Sequence, residues 1–484
     1  MKKIYRIITA ALVATAVLSS CTKEVTGEKQ NPDPAVGSLR TIEVSFITQT
    51  KSALSDDGVT PIFQDGDRIM VSNKSQCEEC TIEMSRFSGK LSFTTSLEGD
   101  YLKAVYPSKV AKMEGNDLIG FNVPSNPTGK FKDANIAWAE YYGEGKMWFS
   151  NCTAVLKFYA DASIGVKEIT MSVGEDECLA DGNFDENGLP MEGGSPNVIH
   201  VTPVSGERVC YVAVRPGTFQ ELEVVSATAT QKVENDEGMV TRYFSPASLN
   251  KGSLYDVFIP YYIEVNVGDE TSPEIQRWGY CNVGAFLPEE TGKYFAWGDT
   301  DGYKWLVKSD EGFFEDNHPF SWETCPFNDG ISVYSQEVFE AHKATVCPNG
   351  TLIADYDAAY LSWGGKWRMP TNEEIEKLYS IITPLEDVSE DGLRIKGTSL
   401  FFPLTGYGFV QDRPNREWTD SGIYWTSSLN ATAEALAYCF NFTREQESVK
   451  YIGDSFDRPQ GLPIRPIYKI TGLTVESYQK GKDL

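Results

Sequence analysis

Between Arg40 and about Pro260 the chain runs as one short alternating segment after another, with turn residues between them. This pattern constrains the fold more than any other feature of the sequence. Thr41-Ile42-Glu43-Val44-Ser45-Phe46-Ile47 alternates polar and apolar, as do Arg68-Ile69-Met70-Val71, Lys90-Leu91-Ser92-Phe93, Ala154-Val155-Leu156-Lys157-Phe158 and Glu168-Ile169-Thr170-Met171-Ser172-Val173. A period of two turns one face of each segment to a core and the other to water, as in a half-buried strand. Asp56-Asp57-Gly58, Asp65-Gly66-Asp67 and Glu114-Gly115-Asn116-Asp117 supply the turn chemistry between them. No amphipathic helix of four turns interrupts the stretch, so it reads as one or two antiparallel β-sandwiches. Asp181-Gly182-Asn183-Phe184-Asp185-Glu186-Asn187-Gly188 spaces oxygen ligands like a calcium loop but lacks Gly at the sixth position. A hairpin turn is the favoured reading there, and no metal is assigned.

The first segment sets the compartment. Lys2, Lys3 and Arg6 precede an apolar run from Ile7 to Leu18, too short to span a bilayer, and Leu18-Ser19-Ser20-Cys21 closes it. Those last residues resemble the lipobox of bacterial lipoproteins, which implies cleavage before Cys21 and acylation of that residue, with a plain signal peptide as the alternative. Acyl chains at Cys21 would anchor the protein to the outer membrane at the cell surface. Thr22 to about Leu39 is polar with Pro32, Pro34, Gly27 and Gly37, and reads as a flexible tether.

Charge and rare residues narrow the function. The chain of 484 residues has 43 Lys and Arg against 69 Asp and Glu, a net charge of −26 that repels phosphate backbones, so nucleic acid is set aside as a partner. Only His200, His318 and His342 are present, which leaves few imidazole bases or ligands. No Gly-x-Ser-x-Gly elbow, His-Glu-x-x-His pair, phosphate loop or dinucleotide fingerprint occurs, and the chain reads as a non-enzyme without cofactor. Nine cysteines follow Cys21, an odd number that cannot all pair within one chain. Cys77-Glu78-Glu79-Cys80 reads as part of a loop between strands, carrying either a local disulfide or two free thiols.

After Pro260 the composition changes. Thr271 to Pro466 holds Trp278, Trp297, Trp305, Trp322, Trp363, Trp367, Trp418 and Trp425, eight of the ten tryptophans in the chain. A core built from loops around a small sheet is implied. Thr371 with Glu374 three residues on forms a capping box before Ile375, Leu378, Tyr379 and Ile382, which repeat with helical spacing. A second helix is expected from Ser335 to Lys343, with His342 a packed or rim residue.

Two family resemblances follow from these strings. Gln64-Asp65-Gly66-Asp67-Arg68-Ile69-Met70-Val71, Asp100-Tyr101-Leu102-Lys103-Ala104-Val105-Tyr106-Pro107, Tyr211-Val212-Ala213-Val214-Arg215-Pro216-Gly217 and Leu249-Asn250-Lys251-Gly252-Ser253-Leu254-Tyr255-Asp256-Val257 occur in an order that resembles the fimbrillin-like family. That family consists of lipoproteins with two tandem transthyretin-like β-sandwiches, some forming type V pili and others capping or anchoring them. The resemblance implies proteolytic maturation after an Arg upstream of the first strands, opening a groove for a neighbour's donor strand. Arg40 is the candidate cut site. Tyr280-Cys281-Asn282-Val283-Gly284-Ala285, Trp363-Gly364-Gly365-Lys366-Trp367-Arg368-Met369-Pro370, Tyr424-Trp425-Thr426-Ser427-Ser428 and Leu462-Pro463-Ile464-Arg465-Pro466 resemble the "major paralogous" (FISUMP-type) domain, which is similar to the C-type-lectin-like fold.

The fold expected is therefore mainly β, with two tandem sandwiches followed by an α+β C-type-lectin-like domain. The expected divisions are 1–21 signal peptide, 22–39 tether, 40–162 and 163–262 sandwiches, 273–468 lectin-like domain and 469–484 tail. In the lectin-like unit Trp367 and Trp425 are expected to fill the core and Arg465 to tie the last strand to a loop. Ligand is expected at Tyr407, Arg413, Asn415, Arg416, Trp418 and Asp420, where an aromatic platform lies among polar donors. The function expected is a fimbrial subunit, a tip adhesin contacting other pilus subunits and a host or bacterial surface glycan or protein. The alternative is a stand-alone lipid-anchored surface protein that captures such a ligand without polymerising.

Overall fold

The computed structural model describes residues 39–47, 63–160, 164–180, 183–185, 197–228, 239–269, 271–308, 311–314, 320–382, 391–409, 415–417, 420–445, 448–449 and 454–468. The chain is mainly β, as its period-two segments dictate. Seven strands form the first unit: β1 (Arg40–Phe46), β2 (Arg68–Ser72), β3 (Cys77–Met84), β4 (Leu91–Thr95), β5 (Leu102–Tyr106), β6 (Ala137–Tyr141) and β7 (Lys146–Asn151). They hydrogen-bond in the order β1-β4-β3-β2-β5-β6-β7 and close into a barrel. The closing contact is a parallel pairing of β1 with β7, Val44 opposite Met147 and Phe46 opposite Phe149, so the first strand has no free edge.

Each barrel strand sends alternate side chains inward. Ile42, Val44 and Phe46 of β1 meet Ile69, Val71, Ile82, Phe93, Ala104 and Phe149 in a single buried cluster. Burying each large member contributes roughly 1.5–3 kcal/mol. Cys77 and Cys80 lie within β3, not in a loop. Being three apart on a strand they point to opposite faces, Cys77 exposed and Cys80 buried, so no local disulfide can join them. The turn Gln64–Asp67 stands as expected, with Gly66 at φ +88° and the Asp67 carboxylate accepting from the Gln64 N–H at 2.7 Å.

The second unit uses β8 (Ala154–Tyr159), β9 (Val166–Ser172), β10 (Val198–Val201), β11 (Val209–Val214), β12 (Leu222–Thr228), β13 (Met239–Phe244) and β14 (Leu254–Val257). These form a three-stranded sheet β11-β8-β14 and a four-stranded sheet β10-β9-β12-β13. Leu156, Phe158 and Val212 of the first sheet share one core with Ile169, Met171 and Val224 of the second. β8 lies before the expected division at residue 162, yet it pairs with β11 and β14 and so belongs to this second pair of sheets. Five of its six residues are buried, as befits a central strand covered on both sides.

The C-terminal region starts without a linker. β15 (Tyr262–Asn266) pairs with β16 (Ile275–Gly279) and opens the sheet β15-β16-β25-β19, where β19 is Trp367–Arg368 and β25 is Ile467–Tyr468. Rings cross the junction: Tyr159 stacks on Phe286 at 4.5 Å and Phe258 packs on Trp363 at 4.9 Å, while Arg208 forms a two-pronged ion pair with Glu289. The hydrophobic cluster of the second unit accordingly continues through Trp278 and Trp367 to Ile467.

Among the described residues three α-helices brace this region: α1 (Gln336–Val346), α2 (Ala358–Trp363) and α3 (Asn372–Ser380). The α3 capping box is present, the Thr371 hydroxyl accepting from the Glu374 N–H at 3.3 Å and the Glu374 carboxylate accepting from the Thr371 N–H at 2.8 Å. α1 starts after Ser335, whose hydroxyl caps it, and runs three residues beyond the expected Lys343. β22 (Ser421–Leu429) and β23 (Leu436–Glu445) form the central hairpin, with β24 (Asp454–Asp457) on the far side of β23.

Candidate functional site

Two further hairpins stand side by side in the C-terminal unit. β17 (Tyr303–Lys308) pairs with β18 (Glu311–Phe314), and β20 (Tyr407–Phe409) pairs with β21 (Asn415–Glu417), with β18 next to β21. The first starts from a glycine turn that only glycine permits. Gly302 has φ +62°, and a Cβ there would meet Phe295 at 2.3 Å. The second is tied to the unit at Gly408, which exchanges backbone hydrogen bonds with Gly461 at 2.7 and 2.9 Å.

A third element, the segment Phe320–Ser335, adjoins the first hairpin, with the Phe320 ring 6.0 Å from that of Tyr303. It has no strand or helix of its own, and a fully buried side chain holds it. The Asn328 amide donates to the carbonyls of Trp322, Ile331 and Val333 at 3.0, 2.7 and 3.0 Å, and its oxygen accepts from the Ser335 N–H at 3.2 Å. Phe327 and Asp329 on either side hold φ of +63° and +48°, a left-handed conformation that side chains adopt only when the surroundings enforce it. Val333 is left 64% exposed on this rigid segment, with Ile331 beside it. His342 contacts Asp329 at 3.0 Å from the rim, the position expected for it.

Beneath the segment lies Arg458, fully buried. Its guanidinium sits 3.8 Å over the Phe339 ring and 5.6 Å from those of Trp322 and Tyr334, and Nε donates to the Glu434 carbonyl at 3.0 Å. Burial pulls its pKa below the usual arginine range. Glu434 itself is held below the usual carboxylate range by its hydrogen bond to Lys343. Burial pushes the nearby Cys325 thiol up to about 12, as it does those of Cys80, Cys210 and Cys281, so all four stay protonated at neutral pH. No two of the nine cysteines are joined. Among the described residues no group of three or more His, Cys, Asp or Glu is placed to hold a metal ion.

The residues singled out from the sequence come together in part, with Tyr407, Asn415 and Arg416 on the one β20–β21 hairpin. Tyr407 is buried at 7% exposure and packs on Phe456 at 5.6 Å, so its ring is a core group and is not presented to a ligand. Asn415 and Arg416 fall on β21, opposite Phe409 and Gly408. Asp420 is exposed at the start of the central hairpin. Arg413, Trp418 and Cys21 lie outside the described residues. Arg40 is not upstream of the first strand but is its first residue, opposite Thr95, with its guanidinium 5.6 Å from the Tyr141 ring.

The fold residues of the C-terminal unit stand where expected. Trp425 is fully buried, donating to the Phe295 carbonyl at 2.8 Å, and Trp367 is buried at the edge of the sheet. Arg465 donates to Asn282 at 2.7 Å and to the Gly279 and Tyr280 carbonyls at 3.0 and 2.9 Å, tying the last strand to the loop after β16. The β17–β18 hairpin and the Asn328 clamp were missed. Alternating Tyr303, Trp305 and Val307 signalled the first, but a lone Asn in a loop carries no such signal.

No protein-family model matches this chain, and no curated protein matches it. Similar solved structures include a candidate cell adhesion protein from Bacteroides ovatus, with 14% identity, 49% of this chain and 94% of the other covered, and a TM-score of 0.30. A fimbrial protein from the same organism shows 12% identity over 88% of this chain and 98% of its own, with a TM-score of 0.26. A C-terminally truncated tip fimbrial protein from Porphyromonas gingivalis shows 8% identity over 49% of this chain and 97% of its own, with a TM-score of 0.22.

Proposed function

We propose that the chain is a cell-surface fimbrial subunit that ends a fibre as a tip adhesin, anchored through acylated Cys21 and presenting its C-terminal unit to a host or bacterial surface ligand. The observation that carries the reading is the place of β1. Donor-strand assembly requires a vacant strand position with apolar pockets that a neighbour's strand can fill. In this chain β1 fills the position between β4 and β7 itself, with Ile42, Val44 and Phe46 in the pockets. A cut after Arg40 leaves Thr41–Phe46 attached to the rest of the chain, so it vacates nothing. A cut that frees β1 has to fall after Phe46. A subunit that keeps its own strand cannot accept a donor there, which suits the end of a fibre. The side-by-side hairpins and the clamped Phe320–Ser335 segment then serve as the presented surface, and rigid loops on a braced core are the usual place for recognition.

Immunogold microscopy of surface fibres with antibodies to residues 273–468 tests this. Gold at fibre tips is the expected result. Gold along the fibre shafts would make the chain a repeating subunit, and gold on fibre-free membrane would favour the stand-alone surface lipoprotein.

A further inference from the structure

The outer face of the barrel carries a second set of side chains that packing does not explain. Tyr142 is 65% and Trp148 47% exposed, and Tyr101, half-buried, lies 5.3 Å from Tyr142. All three point outward. Glu140 pairs across the strands with Trp148 on one side and Lys103 on the other, and Tyr142 lies two residues past Glu140, just beyond the end of β6. The rings therefore lie in a strip from the residue before β5, past the end of β6, to Trp148 on β7.

The rings are fixed in place. The Tyr101 and Tyr142 hydroxyls both donate to the Glu140 carboxylate, the first at 3.0 Å. The Lys74 ammonium lies 5.1 Å from the Tyr101 ring centre and the Lys146 ammonium 4.2 Å from that of Trp148. Exposed aromatic side chains ordered in this way mark a contact surface, since water alone gains nothing from their order.

Charge selects the occupant. Lys90 and Lys146 both close on Glu43 at 2.9 Å, and Lys103 closes on Asp117 at 3.4 Å. The patch is thus nearly balanced and already paired within itself, with little to offer a polyanion or an acidic protein. What it presents is ring faces, the remaining ammonium donors and the lone pairs of Glu140. A strip three rings long is also far smaller than the ~800 Å² that a stable protein partner covers. Flat apolar faces flanked by hydrogen-bonding groups match a chain of pyranose rings, whose C–H faces stack and whose hydroxyls bond at the edges.

We infer that the outer face of β5, β6 and β7 binds a neutral polysaccharide, with Tyr101, Tyr142 and Trp148 as its platform and Lys74, Glu140 and Lys146 as hydroxyl partners. This site is separate from the C-terminal hairpins and stands whether or not the chain forms fibres. Affinity electrophoresis of the full chain in gels containing mannan, arabinoxylan, laminarin or dextran tests it, with polygalacturonate as the charged control. At least one neutral polymer should retard the protein, equally at 0.05 and 0.5 M NaCl. Trp148→Ala and Tyr142→Ala should each weaken that retardation at least tenfold with thermal midpoints unchanged, and Phe87→Ala, an exposed ring at the β3–β4 turn, should leave it intact. No retardation by any neutral polymer would overturn the inference. So would retardation that both variants retain, or retardation by polygalacturonate alone that salt removes. A wild-type dimer in sedimentation that Trp148→Ala dissolves would assign the face to a second copy instead.

Discussion

The barrel and the C-terminal unit close their cores by different means. In the barrel every strand brings its own apolar side chains inward, and ladder hydrogen bonds satisfy the backbone. Core residues such as Ile69, Val71 and Phe93 are interchangeable in kind, each one of many similar contributors. In the C-terminal unit irregular segments pass through the interior, where their carbonyls and N–H groups have no ladder to join. Buried polar side chains take over that role: Arg465 on Gly279 and Tyr280, Asn328 on the Phe320–Ser335 segment, and Asp357 on Tyr360 and Met369. Unpaired buried backbone groups cost about 1–3 kcal/mol each, so stability there is concentrated in a few residues.

The sharpest test of that contrast is Arg465→Met. It keeps the apolar volume but strands Asn282 and two carbonyls in a dry interior, and should destabilise by about 3–5 kcal/mol in chemical denaturation followed by tryptophan fluorescence. Ile69→Ala in the barrel should cost less, about 2–4 kcal/mol as a transfer and cavity effect. If the order is reversed, the polar side chains do not carry the C-terminal core as described.

Asp357 makes the C-terminal core sensitive to pH. Burial raises its pKa from 3.8 to about 6, against the backbone donors that favour the carboxylate. The folded state therefore holds a proton that the unfolded chain has already lost between those values. Stability from this group is greatest below about pH 4, falls as pH rises toward 6 and is flat above, by at most about 3 kcal/mol. Denaturation midpoints at pH 4, 5, 6 and 7 in the wild type and in Asp357→Asn check this, the variant losing the slope in that interval. The smallest effect belongs to the barrel surface. Arg68 and Glu79 are 64% and 43% exposed, and Arg68→Ala should shift stability by no more than about 0.5 kcal/mol.

The same contrast governs what could be read from the sequence. β1 was read as Thr41–Ile47 and stands at Arg40–Phe46, because strand periodicity is a local property of side-chain order. Capping made α3 equally plain. The expected division at residue 162 misplaced β8, since a strand's partner is fixed by long-range pairing that no local pattern encodes. The flanks of Cys77–Cys80, Ser72–Gln76 and Thr81–Met84, read as a loop, whereas alternate burial of Cys80 and Ile82 belongs to strand β3. In the C-terminal unit Arg465 was anticipated within a recognisable string, whereas Arg458 was not. Its burial among Trp322, Tyr334 and Phe339 gathers residues far apart in the chain. Tyr407 looked like part of a platform by composition, but its place beneath β24 depends on the Gly408–Gly461 pairing.

The place of β1 carries the functional account, and mapping the N-terminus of the mature protein on the cell surface tests it most directly. Intact-mass and terminal-peptide analysis of protein extracted from surface fractions should find Thr41–Phe46 retained, leaving the barrel closed by its own first strand. A mature chain that begins after Phe46 would contradict the account, because the position between β4 and β7 would then be open to a neighbour's strand and the chain would be built to continue a fibre.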